Sequence, residues 1–449
     1  MVKKFTMKKL RSFLKHFINI SLLFLLLLPL FSVARELIID PRTGKPARYA
    51  GDYLKKPEVM VPKRPVFNRR MFRGVWVATV ENIDFSEHRS INSFKKEFLS
   101  VVNNLKAIHA TAVIFQVRPM NDAFYPSTLN PYSKFMTGSE GVGFRSFDPL
   151  KFMISECHKR GIEFHAWMNP YRVLHNVTTS KTKALKGLTD KNYAKRFPDQ
   201  VLDVPGNDGK RLLILDPGRP EVRAFLLATV RELIMSYNVD AIHFDDYFYP
   251  YEGTDNADIP TFKKYNPHKL SLEEWRRNNV NLMVYSISNL IRTVNRAQKR
   301  NIQFGISPFG IWGNQKRIRN GSMTGGSESY FKQYADTRLW VRSGWLDYIA
   351  PQLYWTFGHN TAAYAHLADW WAGTVSGTKT KLYIGHSIAR IGTNREWSNP
   401  DEVYNQLRYN TMVPNINGSI LYSYSKIFAP VNPEMKKGSR KVTDLWKRF

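Results

Sequence analysis

The chain has one cysteine, Cys157, among 449 residues. A single thiol excludes a disulfide framework and a zinc site built from several cysteines, and we interpret Cys157 as a buried spacer. The zinc-protease pattern HExxH and an Asp-rich calcium loop are also missing, so we expect neither a metal nor a cofactor. No Gly-x-Gly-x-x-Gly turn follows the first predicted strand, and a dinucleotide site is therefore unsupported.

Acidic residues are scarce as well, since 37 Asp and Glu stand against 66 Lys and Arg, a formal net charge of +29. A basic chain can bind nucleic acid, an anionic membrane surface or an acidic polysaccharide. Its cations are scattered along the sequence, so a solvated surface without a binding role is an equally good interpretation. Aromatic residues make up 14% of the chain, and aromatic walls are common in ligand-binding clefts.

The N-terminus has the pattern of an export signal over residues 1–34. Six cations precede an apolar stretch over residues 17–31, and the small residues Ser32 and Ala34 follow at the positions that a signal peptidase reads. The apolar stretch is short for a membrane span, so we expect cleavage and no stable span afterwards. We therefore expect a periplasmic or extracellular protein associated with the cell envelope, and export argues against a nucleic acid partner.

Short apolar runs alternate with amphipathic stretches after an extended lead-in over residues 35–70. Eight runs have the continuous apolar character of parallel strands buried on both faces. These are Gly74–Thr79, Ala112–Val117, Glu163–Met168, Ala241–Phe244, Gln303–Ile306, Tyr348–Leu353, Leu382–Gly385 and Ser419–Tyr422. The alternation predicts an α/β fold, a closed (β/α)₈ TIM barrel over residues 71–435, with a basic C-terminal tail over residues 436–449.

The segments after the second to fifth predicted strands are long and rich in Tyr, Phe, Asn, Pro and Gly. Strand-to-helix loops emerge at the C-terminal end of a barrel, where enzymes of this fold carry their active sites. The sequence therefore predicts a deep, aromatic-walled cleft at that end.

The fourth predicted strand ends in two adjacent carboxylates, Asp245 and Asp246, followed by Tyr247. Like charges a few ångströms apart cannot both ionise freely, so we expect their pKa values to separate, as acid–base catalysis near neutral pH requires. Because neighbouring side chains in a strand point to opposite faces, the pair converges only if the backbone turns at the strand tip. A solvated or helix-capping Asp pair is the competing interpretation.

Five segments resemble the bacterial glycosyl hydrolase-like 10 family, formerly called domain of unknown function 187. They are RGVWVATVENIDF (73–85), LDPGRPEVRAF (215–225), DAIHFDDYFYP (240–250), ISPFGIW (306–312) and APQLYWTFGH (350–359). The resemblance covers about residues 72–430 and implies a (β/α)₈ fold and hydrolysis of glycosidic bonds. The family includes a division-site hydrolase of denuded peptidoglycan glycan strands, but it is broad, so the substrate of this chain stays open.

Sugars with a 2-acetamido group allow a substrate-assisted route, in which the acetamide oxygen attacks the anomeric carbon. The Asp pair is similar to that of O-GlcNAcase-type enzymes, and chitinase-like barrels carry a helpful tyrosine at the sixth strand tip, here Tyr354. The resemblance thus implies that Asp245 orients the acetamide or acts as nucleophile and that Asp246 is the general acid, or the reverse. Glu81 is the best rival for the acid, because a carboxylate on another strand gives the separation that two-carboxylate hydrolysis needs.

Polar and aromatic residues at the other strand tips are candidates for holding the substrate. Arg118 or Arg172 can clamp a carboxylate such as that of muramic acid, and Trp312 and Trp355 can stack on sugars. The full set comprises Gln116, Arg118, Asn169, Tyr171, Arg172, Tyr247, Trp312, Gln352, Trp355 and His386. His243, inside an apolar strand, is interpreted as a hydrogen-bonded core histidine.

We therefore predict an exported glycoside hydrolase that cleaves an N-acetylated, acidic cell-wall polysaccharide, with peptidoglycan strands as the favoured substrate. Two alternatives remain open: a glycan-binding barrel without catalysis, and a hydrolase of a neutral glucan.

Overall fold

The computed structural model describes residues 34–54, 57–65, 68, 70–206 and 209–448. The predicted export signal lies outside these residues, apart from Ala34. Within the described ranges, no helix is long and apolar enough to cross a membrane.

Eight parallel strands close into a barrel, and neighbours in the barrel are neighbours in the chain. They are β1 (Phe72–Val77), β2 (Ala112–Arg118), β3 (Glu163–Met168), β4 (Ala241–Phe244), β5 (Gln303–Ile306), β6 (Tyr348–Ile349), β7 (Lys381–Ser387) and β8 (Ile416–Tyr422). All eight predicted strands are present, which confirms the (β/α)₈ prediction. Strand β6 ends earlier than predicted, because Pro351 lacks the N–H group that a longer ladder would need.

One principal helix follows each strand. These are α1 (Ile91–Ala107), α2 (Pro149–His158), α3 (Pro220–Ser236), α4 (Leu272–Gln298), α5 (Thr337–Arg342), α6 (Tyr364–Val375), α7 (Glu402–Asn410) and α8 (Pro433–Trp446). The sequence marks several of their starts: Ser90, Asp148 and Ser271 each accept a hydrogen bond from a first-turn N–H group. Shorter helices lie in the connecting segments at Lys134–Thr137, Lys181–Lys186, Tyr193–Arg196, Ile259–Lys264, Ser329–Lys332 and Tyr424–Phe428.

The segment predicted as a basic tail is helical as far as Trp446, in helix α8. Met435, Val442, Leu445 and Trp446 are buried on one face of this helix, while its basic side chains stay on the exposed face. The helical spacing of these apolar residues therefore places the segment in the helical layer around the barrel rather than outside it.

Aromatic rings fill the barrel interior near the strand starts. Phe72 and Tyr383 stack with ring centroids 4.1 Å apart, and Tyr348 lies beside them. A Cβ on Gly305 would meet the Tyr348 ring at 1.9 Å, so this strand position needs glycine. His243 is a buried core histidine, as predicted, with Nδ1 2.9 Å from the Tyr348 hydroxyl.

Two small sheets lie outside the barrel. The long segment after β3 forms a three-stranded antiparallel sheet from Arg172–Val177, Val201–Pro205 and Arg211–Leu215, and this sheet carries Arg172 to the mouth of the barrel. The lead-in pairs Arg35–Leu37 with Met60–Pro62. Arg408 on α7 holds that pair in place through the Pro62 carbonyl and a 2.7 Å ion pair with Glu36.

Candidate active site

A cleft of about 850 Å³ opens at the C-terminal end of the barrel. Nine of the predicted site residues line it: Glu81, Gln116, Arg172, Asp245, Asp246, Tyr247, Gln352, Tyr354 and Trp355. They are distant in sequence, and the barrel brings them together because they lie at strand ends, or in the segments that follow them, at one face. We call this cavity the catalytic cleft.

Asp245 follows directly after β4 and is 5% exposed. Its carboxylate accepts hydrogen bonds from Trp167 Nε1 at 3.3 Å, from the Asn169 side-chain amide and from the Tyr247 backbone N–H at 3.2 Å. Burial raises the pKa of Asp245, whereas the positive charge of Arg172 and these three donors act against the increase. The donors also fix the orientation of the carboxylate.

Asp246 lines the same cleft and is 7% exposed, so the backbone turn after Phe244 lets both carboxylates reach one cavity. Its carboxylate accepts a hydrogen bond from the Tyr251 hydroxyl. Burial and then the negative charge of Asp245 raise the pKa of Asp246 to about 7. A carboxyl group with this pKa holds a proton through part of the neutral range and can donate it.

A hydrogen-bonded chain of amides runs from the first strand tip to Asp245. Gln116 Oε1 accepts from the backbone N–H groups of Thr79 and Val80, both at 2.9 Å. Because that oxygen is occupied, Gln116 Nε2 faces Asn169 and donates to its Oδ1 at 2.6 Å. Asn169 must then present its own amide N–H to Asp245. Gln116 and Asn169 thus position a carboxylate, a role that their strand-tip location alone did not reveal.

Arg172 supplies positive charge to the catalytic cleft. Its guanidinium lies over the Tyr247 ring, 4.1 Å from the centroid, and its charge acts to lower the pKa of both Asp245 and Asp246. The side chain is held by an aromatic face while it lines the cavity, which is the placement that a carboxylate-binding arginine requires.

The other two predicted catalytic residues, Tyr354 and Glu81, lie in different parts of the cleft. Tyr354 is half-buried in the cleft wall, and desolvation raises the pKa of its phenol well above the ordinary value, so it stays a neutral hydroxyl. Glu81 lies at the rim with its side chain 54% exposed, and its Oε1 is 2.6 Å from Nε2 of His175, whose pKa burial lowers. Asp246 is buried beside a second carboxylate and Glu81 is not, so the geometry favours Asp246 over Glu81 as the acid.

The sequence profile of the glycosyl hydrolase-like 10 family matches residues 71–405. This chain belongs to that family. It is 40% identical over 362 residues to the glycosyl hydrolase YngK of Bacillus subtilis (strain 168), covering 79% of this chain and 68% of YngK. It is 37% identical over 367 residues to the glycosyl hydrolase DigH of Escherichia coli (strain K12), covering 78% of this chain and 82% of DigH. The predicted family and the predicted enzyme class, a glycoside hydrolase, are confirmed.

Among solved structures, the enzyme is similar to α-L-fucosidase isoenzyme 2 from Paenibacillus thiaminolyticus, with a TM-score of 0.47 and 13% identity. The match covers 84% of this chain and 49% of the fucosidase, so the chain spans about half the length of that protein. A similarity at this level says nothing about the substrate.

Three predicted substrate-binding residues, Arg118, Tyr171 and His386, do not reach the catalytic cleft of the enzyme. Arg118 is fully buried and donates to the backbone oxygens of Asn169 and Pro170, and burial lowers its pKa to about 10. Tyr171 is 1% exposed. His386 is buried between Gln406 and Ser419, and burial lowers its pKa to about 4. All three are packing residues. Strand alternation points His386 away from the mouth of the barrel, an irregularity in β2 between Gln116 and Arg118 takes Arg118 off the cleft-lining face, and Tyr171 lies in the bend after β3.

Trp312 lies in a separate groove, where its indole N–H donates to Asp336 Oδ1 at 3.3 Å. Trp312 therefore does not line the catalytic cleft, and its stacking on a sugar stays a prediction. In the segment after β5, Ser307 and Phe309 line the cleft, and the loop turns away after Phe309.

Several residues of the catalytic cleft were not predicted from the sequence: Trp76, Trp167, Tyr251, Phe309 and Tyr422. Trp76 and Trp167 lie inside strands, where packing is the usual role of an indole. Tyr251 carried the clearest available signal, because it continues the aromatic run that follows the Asp pair.

Other buried carboxylates are occupied by structural hydrogen bonds. Asp84 accepts from Ser423 Oγ and the Ser425 N–H group, both at 2.8 Å. Asp216, near the start of α3, accepts from Thr261 Oγ1 at 2.5 Å. Among the residues with assigned positions, no group of three or more His, Cys, Asp or Glu side chains is arranged to hold a metal ion.

Proposed function

We propose that the enzyme hydrolyses denuded peptidoglycan strands, an N-acetylated and acidic cell-wall glycan, by a substrate-assisted retaining mechanism. The observation that carries the proposal is the buried carboxyl pair, in which the pKa of Asp246 is raised to about 7 beside Asp245. Substrate-assisted hydrolysis needs one carboxyl group that donates a proton and one carboxylate that stabilises the acetamide.

The hydrogen bonds support a division of roles within the pair. Asp245 accepts from Trp167, Asn169 and the Tyr247 backbone, and donors of this kind stabilise a negative charge. The shared proton therefore resides on Asp246, which protonates the leaving glycosidic oxygen. Asp245 orients the acetamide, whose oxygen attacks the anomeric carbon as the glycosidic bond breaks. Asp246 then removes a proton from the water molecule that opens the resulting ring.

Charge and aromatic surface support the choice of substrate. The lactyl group of muramic acid carries a carboxylate, and Arg172 presents its guanidinium in the cleft with the Tyr247 ring behind it. Trp76, Trp167 and Trp355 supply flat apolar surface on the cleft walls. A neutral glucan has neither the acetamide that the mechanism uses nor the carboxylate that Arg172 would bind.

We also propose that the mature chain acts outside the cytoplasm, at the cell envelope, after removal of residues 1–34. The support is the signal pattern at the N-terminus, since peptidoglycan is an extracytoplasmic polymer. N-terminal sequencing of the protein from an envelope fraction is expected to begin at Arg35. A chain that retains Met1 there would contradict the proposal.

The function is tested by incubating the purified mature chain with denuded peptidoglycan strands, chitin oligomers and a plain glucan, followed by mass spectrometry of the products. Peptidoglycan fragments are expected, with no product from the glucan. Asp245→Asn and Asp246→Asn are each expected to abolish turnover, while Asp255→Asn, an exposed change on the same loop, retains it. Binding of the strands without product over days would favour the non-catalytic glycan-binding alternative.

A further inference from the structure

We propose that a second groove on this enzyme, separate from the catalytic cleft, binds the carboxylates of a glycan strand that extends beyond the cleft. This inference rests on the proposed function. The groove has a volume of about 630 Å³ and shares no lining residue with the catalytic cleft. We call it the arginine groove; its main lining residues are Trp312, Arg319, Tyr330, Asp336, Arg338 and Arg342.

Arg338 is the central cation of the arginine groove. Its guanidinium lies 4.9 Å from the Trp312 ring centroid and 5.9 Å from that of Trp370. The two indoles stack on one another at 6.1 Å, with 22° between their planes. Arg338 Nε is buried and has no hydrogen-bond partner within the described part of the chain. A guanidinium held by ring faces in this way has N–H groups left for a planar anion.

The charge balance of the groove favours an anionic ligand. Arg319 and Arg342 are exposed and line the groove together with Arg338. Asp336 is the acidic residue of the lining, so three cations face one carboxylate, whose Oδ1 accepts from the Leu339 N–H group and the Trp312 indole. Burial and the nearby charge of Arg342 lower the pKa of Arg338 and the charge of Asp336 opposes them; the pKa is lowered on balance, an electrostatic cost that a further, bound carboxylate would reduce.

The arginine groove lies close enough to the catalytic cleft for one polymer to reach both. Trp312 lines the groove and follows Phe309, which lines the cleft, by three residues. Three residues of extended chain span at most about 11 Å. One loop thus contributes a wall residue to each cavity, and in our proposal a glycan with a carboxylate on every second sugar fills the cleft and places a further carboxylate on Arg338. Two contacts along one chain raise the affinity for polymers over short oligomers.

The test measures binding of denuded peptidoglycan strands to Asp246→Asn protein, with strands whose carboxyl groups have been amidated as the second probe. The groove variant combines Arg319→Gln, Arg338→Gln and Arg342→Gln. The control variant carries the same charge change at three exposed arginines elsewhere, Arg145, Arg231 and Arg296. The groove variant is expected to bind native strands about tenfold more weakly than the control variant. Both variants are expected to bind amidated strands equally.

Equal binding of native strands by the two variants would overturn the proposal. Because Arg338 packs on two indoles, the single variant Arg319→Gln, at an exposed position, is measured as well and is expected to weaken binding with the fold intact. In catalytically active protein, the groove variant should raise KM for strands and leave kcat/KM for short oligomers unchanged. Absence of any product from native enzyme would refute the proposed function, while the binding comparison would still decide the role of the groove.

Discussion

Tyr251 donates its hydroxyl hydrogen to the carboxylate of Asp246, five residues earlier in the chain. The phenol is held in place by edge-to-face contacts with Tyr247 and Phe309, at centroid distances of 5.6 and 5.8 Å. A donor to a carboxylate stabilises its ionised form, so we expect Tyr251 to oppose the rise in pKa that burial and Asp245 impose on Asp246.

Replacing Tyr251 with phenylalanine is therefore expected to raise the pKa of Asp246 further. The alkaline limb of the pH profile of kcat/KM, which reports loss of the acid proton, should move to higher pH by up to about one unit. Tyr265→Phe, which removes a hydroxyl bonded to Glu221 on the protein surface, serves as the matched control. A limb that stays in place in Tyr251→Phe would show that this contact does not tune Asp246.

The native enzyme should lose activity as pH rises through about 7. Asp246 has a pKa of about 7, so the form that can donate a proton is present below this pH and disappears above it. The kcat/KM profile on denuded strands between pH 5 and 9 measures this directly. A profile that is flat up to pH 9 would exclude Asp246 as the general acid.

Asn169→Ala is expected to lower kcat by about 10²-fold, because Asp245 loses the amide that orients it. Gln116→Ala should cause a smaller loss of the same kind, since Gln116 reaches Asp245 through Asn169. The double variant should then be no worse than Asn169→Ala alone. Steady-state kinetics of the three variants decide this, and fully additive losses would show that Gln116 contacts the substrate independently.

Arg118 and Arg172, both predicted from the sequence as candidates for binding a substrate carboxylate, should respond differently to substitution. Arg172→Gln is expected to raise KM for native strands and to shift the alkaline limb to higher pH, because its charge lowers the pKa of Asp246. Arg118→Gln should instead lower the free energy of unfolding by about 1–3 kcal/mol, since it leaves buried carbonyls without a donor. Amidated strands provide the control: Arg172→Gln should bind them as the native enzyme does.

The barrel could be predicted because each strand is a continuous apolar run, and the Asp pair could be predicted because it interrupts such a run at its end. The turn that brings Asp245 and Asp246 into one cavity depends on how the loop after β4 packs. No residue pattern around the pair predicts this turn. Similarly, Gln116 and Asn169 could be placed at strand tips, but their chain of hydrogen bonds becomes visible only when β2 and β3 lie side by side.

The misplaced residues have different physical causes. His386 carries a polar group at a strand end, which suggested the cleft, yet alternation along the strand directs it into the layer between barrel and helices. Arg118 lies two residues after Gln116, but the irregularity between them in β2 takes it off the face that lines the cleft. A one-residue difference in where a strand ends therefore decides whether a side chain faces the cleft or the surrounding helices. The position of Trp312 depends on the path of the long segment after β5, and apolar periodicity does not predict the path of a loop.

Glu402 offers a test of how the cleft wall is supported. Its buried carboxyl group accepts from the Phe357 N–H group and from Gln406, which also donates to the Trp355 carbonyl. Burial raises the pKa of Glu402 from 4.5 to about 7. A carboxyl group with a raised pKa in the folded state stabilises the fold below its unfolded pKa, and this contribution is lost as pH rises through about 7.

Between pH 5 and pH 8 the native protein should therefore lose stability, with a contribution on the order of 3 kcal/mol from Glu402. Glu402→Gln keeps a neutral group of the same shape, so its free energy of unfolding in urea should fall less over the same interval. Glu58→Gln, at an exposed position, should behave as the native protein does. Because Asp246 also has a raised pKa and is unchanged in all three proteins, the difference between the two variants isolates Glu402. Parallel pH dependences would mean that Glu402 is ionised in the fold and that another group neutralises it.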